Sequence, residues 1–174
     1  MLAGATVEVR ALDGRTVVLL NGVEVTNDIR TPEVTELSSV VSTLPAVRER
    51  LVADQRRLAR KARRETGGVI LEGRDIGTVV LPDADMKIYL DADPVERARR
   101  RRAEMLESAA PPDVHTIERD LRERDERDRN RKLSPLRAAD DAIVVDTTAL
   151  GFEEQIDWIE KIIREQKGRR AISG

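Results

Sequence analysis

The sequence predicts an α/β fold in which a parallel sheet is accompanied by a separate, antiparallel three-stranded sheet. Short apolar runs at residues 69–71, 86–90 and 142–145 have the composition of strands buried in a parallel sheet. Helical patterns separate the last two runs, as the crossover connections of a parallel sheet require. Near the start of the chain, residues 6–25 instead alternate apolar and polar side chains, which is the period of strands with one solvent-facing surface.

The alternating segment is predicted to form a meander of three strands at residues 6–12, 16–20 and 23–25. Asp13-Gly14 and Asn21-Gly22 separate the strands. Both dipeptides favour the positive φ angles of two-residue hairpin turns, which fixes the strands as antiparallel neighbours.

Two helices are predicted to follow the meander. Thr31 is a suitable N-cap, and Pro32 suits the first helical turn because its missing N–H would have no partner there. Pro45 interrupts this helix, and a second helix is predicted over residues 46–65. Gly67-Gly68 are expected to end it.

The carboxyl-terminal part of the chain carries three further helical patterns. Asp93-Pro94-Val95-Glu96 supplies an N-cap, a first-turn proline and an acid at the third position, so a helix is predicted to begin there. Pro111-Pro112 should end it. Helices are then predicted over residues 116–131 and 152–166, with residues 168–174 frayed.

Composition limits the classes of function. The chain has 174 residues, 40% of them hydrophobic and 37% charged, with a net charge of −2. Basic and acidic residues nearly cancel, whereas a protein that depends on nucleic-acid phosphates usually has a basic excess. The absence of cysteine and the single His115 exclude disulfides and zinc clusters. Without an apolar run long enough to span a membrane or a signal pattern, the protein is expected to be soluble and cytoplasmic.

Arg74 and Asp75 are the first candidate binding residues. They directly follow the predicted strand at residues 69–71, and ligands of open α/β sheets bind beyond the carboxyl ends of the strands. Gly73 permits a sharp backbone exit from that strand. The alternative is an ordinary strand-end turn with a surface ion pair.

A second set of candidates shares one face of the helix predicted over residues 116–131. That face begins with apolar residues and becomes charged, in the order Ile117, Leu121, Arg124, Asp128 and Arg131. Arginine forks match phosphate oxygens, and a carboxylate can accept hydrogen bonds from sugar hydroxyls. The alternative is a solvated helix stabilised by surface ion pairs.

The arginines from Arg97 to Arg102 form a weaker candidate. Four of them are consecutive and therefore face all sides of their helix, so some must be solvated charge. Others could hold the phosphates in a transfer reaction. Ser39 and Arg48 lie in helical context and would be unremarkable surface residues on this pattern alone.

Six segments, taken together and in order, resemble bacterial cytidylate kinases. They are Ile29-Arg30-Thr31-Pro32-Glu33-Val34, Val47-Arg48, Gly73-Arg74-Asp75-Ile76-Gly77-Thr78-Val79-Val80, Lys87-Ile88-Tyr89-Leu90-Asp91-Ala92, Arg124-Asp125-Glu126-Arg127-Asp128-Arg129-Asn130-Arg131 and Asp146-Thr147-Thr148. The resemblance covers nearly the whole chain, and the combination of segments is highly specific.

The resemblance implies a P-loop nucleoside-monophosphate-kinase-like fold with a parallel sheet and an antiparallel three-stranded monophosphate-binding insert. Residues 1–66 match the insert, which consists of the meander and its helices. Residues 67–174 match the remainder of the α/β core and include an arginine-rich lid at about residues 94–115.

The resemblance also implies roles for single residues. Ser39, Arg48 and Asp75 match positions that read the cytosine. Arg124 and Asp128 match ribose contacts, and Arg74 and Arg131 match ligands of the acceptor phosphate. Arg100 and Arg101 match lid arginines that act in catalysis together with Arg131; no residue is assigned to a metal.

The implied reaction moves the γ-phosphoryl group of ATP, with Mg²⁺, to CMP or dCMP. Catalysis of this kind consists of positioning and charge neutralisation rather than covalent chemistry. CMP, dCMP and ATP are the expected partners, with no nucleic acid and no membrane. The protein is expected to be a monomer, with the possibility of a separate amino-terminal fragment.

One departure from the family pattern is large. Family members open with a strand, which is central in the sheet, and a glycine-rich loop ending in Gly-Lys-Ser/Thr, but this sequence contains no Gly-Lys dipeptide. We therefore expect a fold truncated at the amino terminus and doubtful activity of this chain alone. Two alternatives stay open: a CMP-binding module without phosphoryl transfer, and an RNA-associated protein. The scarcity of aromatic residues argues against the second.

Overall fold

The computed structural model describes residues 4–105 and 111–172, and it has an α/β architecture with two small sheets. These residues form two compact units. The first unit contains the described residues up to Leu81 together with Asp128–Leu136, and the second contains those of Pro82–Arg127 and those from Arg137 onward. Residues 106–110 of the predicted lid, and the last two residues of the predicted frayed end, lie outside the described residues.

The first unit begins with the predicted meander. Its strands are β1 (Val7–Leu12), β2 (Arg15–Leu20) and β3 (Val23–Glu24), all antiparallel and in the order β1-β2-β3. The φ angles are 50° and 74° in Asp13-Gly14, and 52° and 82° in Asn21-Gly22. Because two-residue turns of this type need positive φ at both positions, these dipeptides set the register, and the prediction is confirmed.

The two predicted helices follow as α1 (Pro32–Val41) and α2 (Pro45–Thr66). The Thr31 hydroxyl caps α1 by accepting a hydrogen bond from the backbone N–H of Val34 at 3.3 Å. α2 ends where Gly67 takes a left-handed conformation with φ of 78°, which a glycine adopts without steric cost. Both predicted helices are confirmed.

The predicted strand at residues 69–71 is wrong. The segment lies between α2 and the candidate residues, but it pairs with no strand of the described parts of the chain. Ile70 is 93% exposed. An apolar run can suggest a strand, but the strand exists only where a neighbour supplies the hydrogen bonds of a ladder.

Residues Ile76–Val80 form a π-helical turn that the sequence patterns did not predict. The backbone N–H of Val80 donates to the carbonyl of Asp75 at 3.2 Å, and that of Leu81 donates to Ile76 at 2.7 Å. Both bonds span five residues, which defines the π turn. Val80 is almost fully buried and anchors it. Such turns are rare and often occur at functional sites.

The second unit contains two parallel strands and three helices. They are β4 (Ile88–Asp91), α3 (Pro94–Met105), α4 (Val114–Arg129), β5 (Ile143–Asp146) and α5 (Phe152–Ile172), with the last two residues of α4 belonging to the first unit. β4 and β5 pair in parallel from Ile88 opposite Ile143 to Asp91 opposite Asp146. Two of the three predicted parallel strands are thus confirmed. Within the described ranges, no helix combines the length and the apolar composition that a membrane crossing needs.

The helix starts in this unit are set by aspartate caps. The Asp93 carboxylate accepts from the backbone N–H of Val95 at 2.8 Å, as predicted for α3. Asp113 does the same for His115 at 2.9 Å and Thr116 at 3.0 Å. α4 therefore begins two residues before Thr116, because Asp113 is the N-cap.

Two helix ends differ from the positions predicted, the first of them by only two residues. α4 ends at Arg129, so Arg131 lies just beyond the helix. α5 continues through Ile172, although residues 168–174 were predicted to fray. A glycine inside a helix costs only about 1 kcal/mol relative to alanine, so Gly168 need not end it.

Candidate functional site

Five of the predicted site residues come together in the first unit. They are Arg48, Arg74, Asp75, Asp128 and Arg131, which we call the arginine–aspartate cluster. Three separate segments supply them: the first turns of α2, the residues just before the π turn, and the end of α4 with the loop that follows. The cluster thus depends on tertiary structure rather than on one charged helix.

Asp128 is the anionic centre of one half of the cluster. Its side chain is 1% exposed and makes an ion pair with Arg131, whose side chain is 8% exposed. Arg74 approaches the same carboxylate with its Nε at 3.6 Å. The Asp128 carbonyl accepts from the backbone N–H of Leu136 at 2.9 Å, which ties down the loop that carries Arg131.

Arg48 and Asp75 form the other half. Their side chains make an ion pair and are 11% and 5% exposed. Asp75 is held by its own backbone, since its carbonyl accepts from Val79 at 2.9 Å and from Val80 at 3.2 Å in the π turn. A carboxylate and a guanidinium fixed in this way present a rigid donor and acceptor pair to a ligand.

The two halves are electrostatically one site. Burial lowers the pKa of Arg48 and the nearby positive charge of Arg131 lowers it further, while the negative charge of Asp128 opposes the change. Three arginines stand against two aspartates, so the cluster carries one excess positive charge when all five are ionised. That excess favours an anionic ligand.

Several buried polar atoms of the cluster make no hydrogen bond with any described residue. They include the Nε of Arg48, the Nε of Arg131 and both carboxylate oxygens of Asp128, whose contacts with arginines are ion pairs only. Buried polar groups in native proteins are normally hydrogen-bonded. The arrangement therefore suits a ligand with acceptors for the arginines and hydroxyl donors for Asp128.

Ser39 also lies in the first unit. It is buried in α1, and its carbonyl accepts from the Ser42 hydroxyl at 2.9 Å. On the sequence pattern alone, Arg48 and Ser39 would be ordinary surface residues. The structure contradicts this, because Ser39 is buried and the Arg48 side chain is only 11% exposed. The role in cytosine recognition stays a prediction.

The other predicted residues, Arg100, Arg101 and Arg124, belong to the second unit. Arg100 donates to the carbonyl of Thr147 at 2.6 Å and to that of Leu150 at 3.2 Å, in the loop after β5. Arg101 is exposed and pairs with Glu104 at 3.0 Å. Arg124 lies on α4, one turn before its end. Their roles as lid or ribose contacts stay predictions.

Two partnerships were missed from the sequence. Arg56, two turns after Arg48 on α2, donates to the carbonyls of the π turn. Its helical spacing from Arg48 was a usable signal. In the second unit, Arg97 makes an ion pair with the buried Asp125 and so ties α3 to α4. Nothing in the local sequence indicated that pair.

Gly73 is required by the close approach of the π turn. A Cβ at this position would lie 2.9 Å from Cγ1 of Ile76, closer than side chains tolerate. We expect Gly73→Ala to lower the free energy of unfolding by about 1–2 kcal/mol, through overpacking beside Arg74 and Asp75. Urea denaturation measures this. Gly68→Ala is the matched control, since no atom lies within 4 Å of its added Cβ, and equal losses in both variants would contradict the prediction.

Comparisons with known proteins identify the family of this chain. The family described as cytidylate kinase matches residues 2–165. The chain is 44% identical over 168 residues to a cytidylate kinase of Geobacillus sp. (strain WCH70), which covers 97% of this chain and 73% of the relative. It is 48% identical to that of Streptococcus sanguinis (strain SK36) and to that of Rhodococcus opacus (strain B4), each over 87% of this chain.

The chain spans only part of each of these relatives, from 73% of the first to 65% and 64% of the other two. The family match nevertheless extends over nearly all of this sequence and includes every residue of the cluster. It confirms the resemblance and with it a P-loop nucleoside monophosphate kinase fold family. The chain belongs to the cytidylate kinase family, a family of phosphotransferases that act on nucleoside monophosphates.

Proposed function

We propose that the arginine–aspartate cluster binds CMP or dCMP as the phosphoryl acceptor of the family reaction, in which the γ-phosphoryl group of ATP is transferred to it. The observation that carries the proposal is the set of buried guanidinium and carboxylate atoms without hydrogen bonds to the described residues. A nucleoside monophosphate offers what they lack, since its phosphate accepts and its ribose hydroxyls donate. The similarity to cytidylate kinases supports the same acceptor.

The two halves of the cluster suit different parts of the nucleotide. Cytosine carries an exocyclic amine, and a fixed carboxylate such as Asp75 can accept from it. Arg48 and the buried Ser39 complete the proposed base contacts. Arg74 and Arg131 are the proposed phosphate ligands. Asp128 can accept from ribose hydroxyls, with Arg124 as a further ribose contact.

In the proposed reaction, an oxygen of the acceptor phosphate bonds to the γ-phosphorus as the bond to the β-phosphate oxygen breaks. The products are ADP and CDP or dCDP. Arg131 would keep the acceptor phosphate in place and offset its charge, which would otherwise repel the donor. Arg100 and Arg101 are proposed to neutralise donor phosphates, and Arg100 would have to leave the Thr147 and Leu150 carbonyls to do so.

The donor side of the reaction has fewer proposed residues than the acceptor side. Within residues 4–105 and 111–172, no three His, Cys, Asp or Glu side chains are grouped to hold a metal ion, and the sequence has no Gly-Lys dipeptide. Apart from Arg100 and Arg101, we therefore propose no residues of this chain for ATP with Mg²⁺. We propose that the monophosphate-binding insert comprises residues 1–66, that the rest of the core comprises residues 67–174 and that the lid lies at about residues 94–115.

Base selectivity tests the acceptor assignment. Titration calorimetry is expected to show CMP and dCMP binding at least roughly tenfold more tightly than AMP and GMP. The reason is that a wrong base leaves buried groups of Arg48 and Asp75 unpaired, at about 1–3 kcal/mol each. Equal affinity for all four nucleotides would rule out the assignment.

A further inference from the structure

Arg56 joins α2 to the far end of the π turn. Its Nε donates to the carbonyl of Val80 at 2.8 Å, and its Nη2 donates to that of Val79 at 2.7 Å. The bonds connect residues 24 and 23 positions apart in the sequence. Both lie within the first unit, and the guanidinium is partly buried.

The two acceptor carbonyls need this arginine. The last carbonyls of any helical segment have no partner within the segment, because no following turn supplies N–H groups. Val80 is almost fully buried, so water has little access to replace a lost donor. One planar guanidinium satisfies both carbonyls with charge-assisted bonds, which a single ammonium group cannot do with the same geometry.

The same helix also holds the near end of the turn. Arg48 pairs with Asp75 immediately before the turn, and Arg56 binds the carbonyls at its end. The two arginines are eight positions apart on α2, a distance of about 12 Å along the helix axis. Two ties between one helix and one turn fix the position and the rotation of that turn. Arg74 and Asp75 directly precede the turn, so their positions depend on it.

We infer that Arg56 is a positioning residue for nucleotide selectivity. It sets the π turn so that Asp75 stays beside Arg48 to read the base and Arg74 stays beside Asp128. Arg56 itself contacts carbonyl oxygens of the turn, and we propose no contact between Arg56 and the nucleotide. The inference rests on the proposed function, because the selectivity it controls is that of the cytosine contacts.

The test compares CMP with UMP, which differ at the base position where cytosine carries an amine and uracil a carbonyl. In Arg56→Lys, the CMP dissociation constant is expected to rise about 3- to 30-fold and the CMP:UMP preference to fall about tenfold. Arg57→Lys is the matched control, since Arg57 is the next residue of α2, is exposed and pairs only weakly with Asp54 at 3.3 Å. It is expected to leave both values within twofold of wild type.

A purely structural role predicts a different result. It would lower the melting temperature but leave the CMP:UMP ratio unchanged when binding is measured well below that temperature. That outcome overturns the inference while keeping the proposed function. If wild-type protein shows no preference for CMP, the proposed function fails first and the inference with it. Should Arg56→Lys not fold at 20 °C by circular dichroism, Arg56→Gln, which keeps an N–H donor, carries the same measurement.

Discussion

Replacing Arg131 with alanine is expected to weaken CMP binding by about 2–4 kcal/mol, roughly 30- to 1,000-fold in Kd. Arg131 is nearly buried, pairs with Asp128 and has an Nε without a hydrogen bond to any described residue. Its removal takes away the proposed phosphate ligand and leaves the Asp128 carboxylate with the more distant Arg74, whose Nε lies at 3.6 Å. Two penalties therefore fall on the same site.

Cytidine separates the phosphate role from a general collapse of the site. Since cytidine lacks the phosphate, its affinity should change less than about threefold in Arg131→Ala. Asp128→Ala is expected to weaken cytidine and CMP alike, because the proposed ribose contact is present in both. Arg119→Ala, which removes an exposed arginine of α4, should change neither. Equal losses for CMP and cytidine in Arg131→Ala would contradict the assignment.

Stability must be measured beside affinity in these variants. Removing one partner of a buried ion pair leaves an uncompensated charge, which commonly costs about 3–5 kcal/mol of folding free energy. Arg74 can offset part of that cost for Asp128. Calorimetry should therefore be run at a temperature where circular dichroism shows each variant to be folded.

Local patterns predicted most of the secondary structure because its causes are local. The hairpin dipeptides, the Thr31 and Asp93 caps and Gly67 each satisfy a backbone requirement within a few residues. The prediction of a strand at residues 69–71 was wrong because a strand exists only beside a neighbour, which comes from elsewhere in the chain. The π turn was not predicted, for a related reason. Its five-residue hydrogen bonds run to the carbonyls of Asp75 and Ile76, while the Val79 and Val80 carbonyls at its end accept from Arg56 of α2.

Position and spacing proposed four residues of the candidate site, whereas Arg48 came from the family resemblance alone. Helical periodicity placed Asp128 and Arg131 near each other, but it could not distinguish a buried cluster from a solvated helix. The structure shows what decides the matter: Arg74 from a different segment approaches Asp128, and both Asp128 and Arg131 are buried. Arg48 and Asp75 are 27 positions apart, a contact that only the fold can create.

A polypeptide with the printed 174 residues is expected to bind CMP without turning it over. Magnesium-ATP in this class needs backbone N–H groups at a helix N-terminus and a lysine that reaches the β- and γ-phosphates. The sequence has no Gly-Lys dipeptide, and the residues directly after Gly67-Gly68 form no helix. Lid arginines can neutralise charge but cannot position ATP alone.

The expected size of this effect makes it easy to measure. Positioning supplies about 7–11 kcal/mol of catalysis in favourable cases, so turnover should fall by on the order of 10⁵-fold or more against an intact family member. A coupled assay for ADP release should read background with ATP and CMP. Activity should return when the strand and the Gly-Lys-Ser/Thr loop of a longer relative are fused to the chain or added as a second polypeptide. Rapid ADP release by the 174 residues alone, abolished by Arg131→Ala so that a contaminating kinase is excluded, would show that the donor site is built from residues other than such a loop.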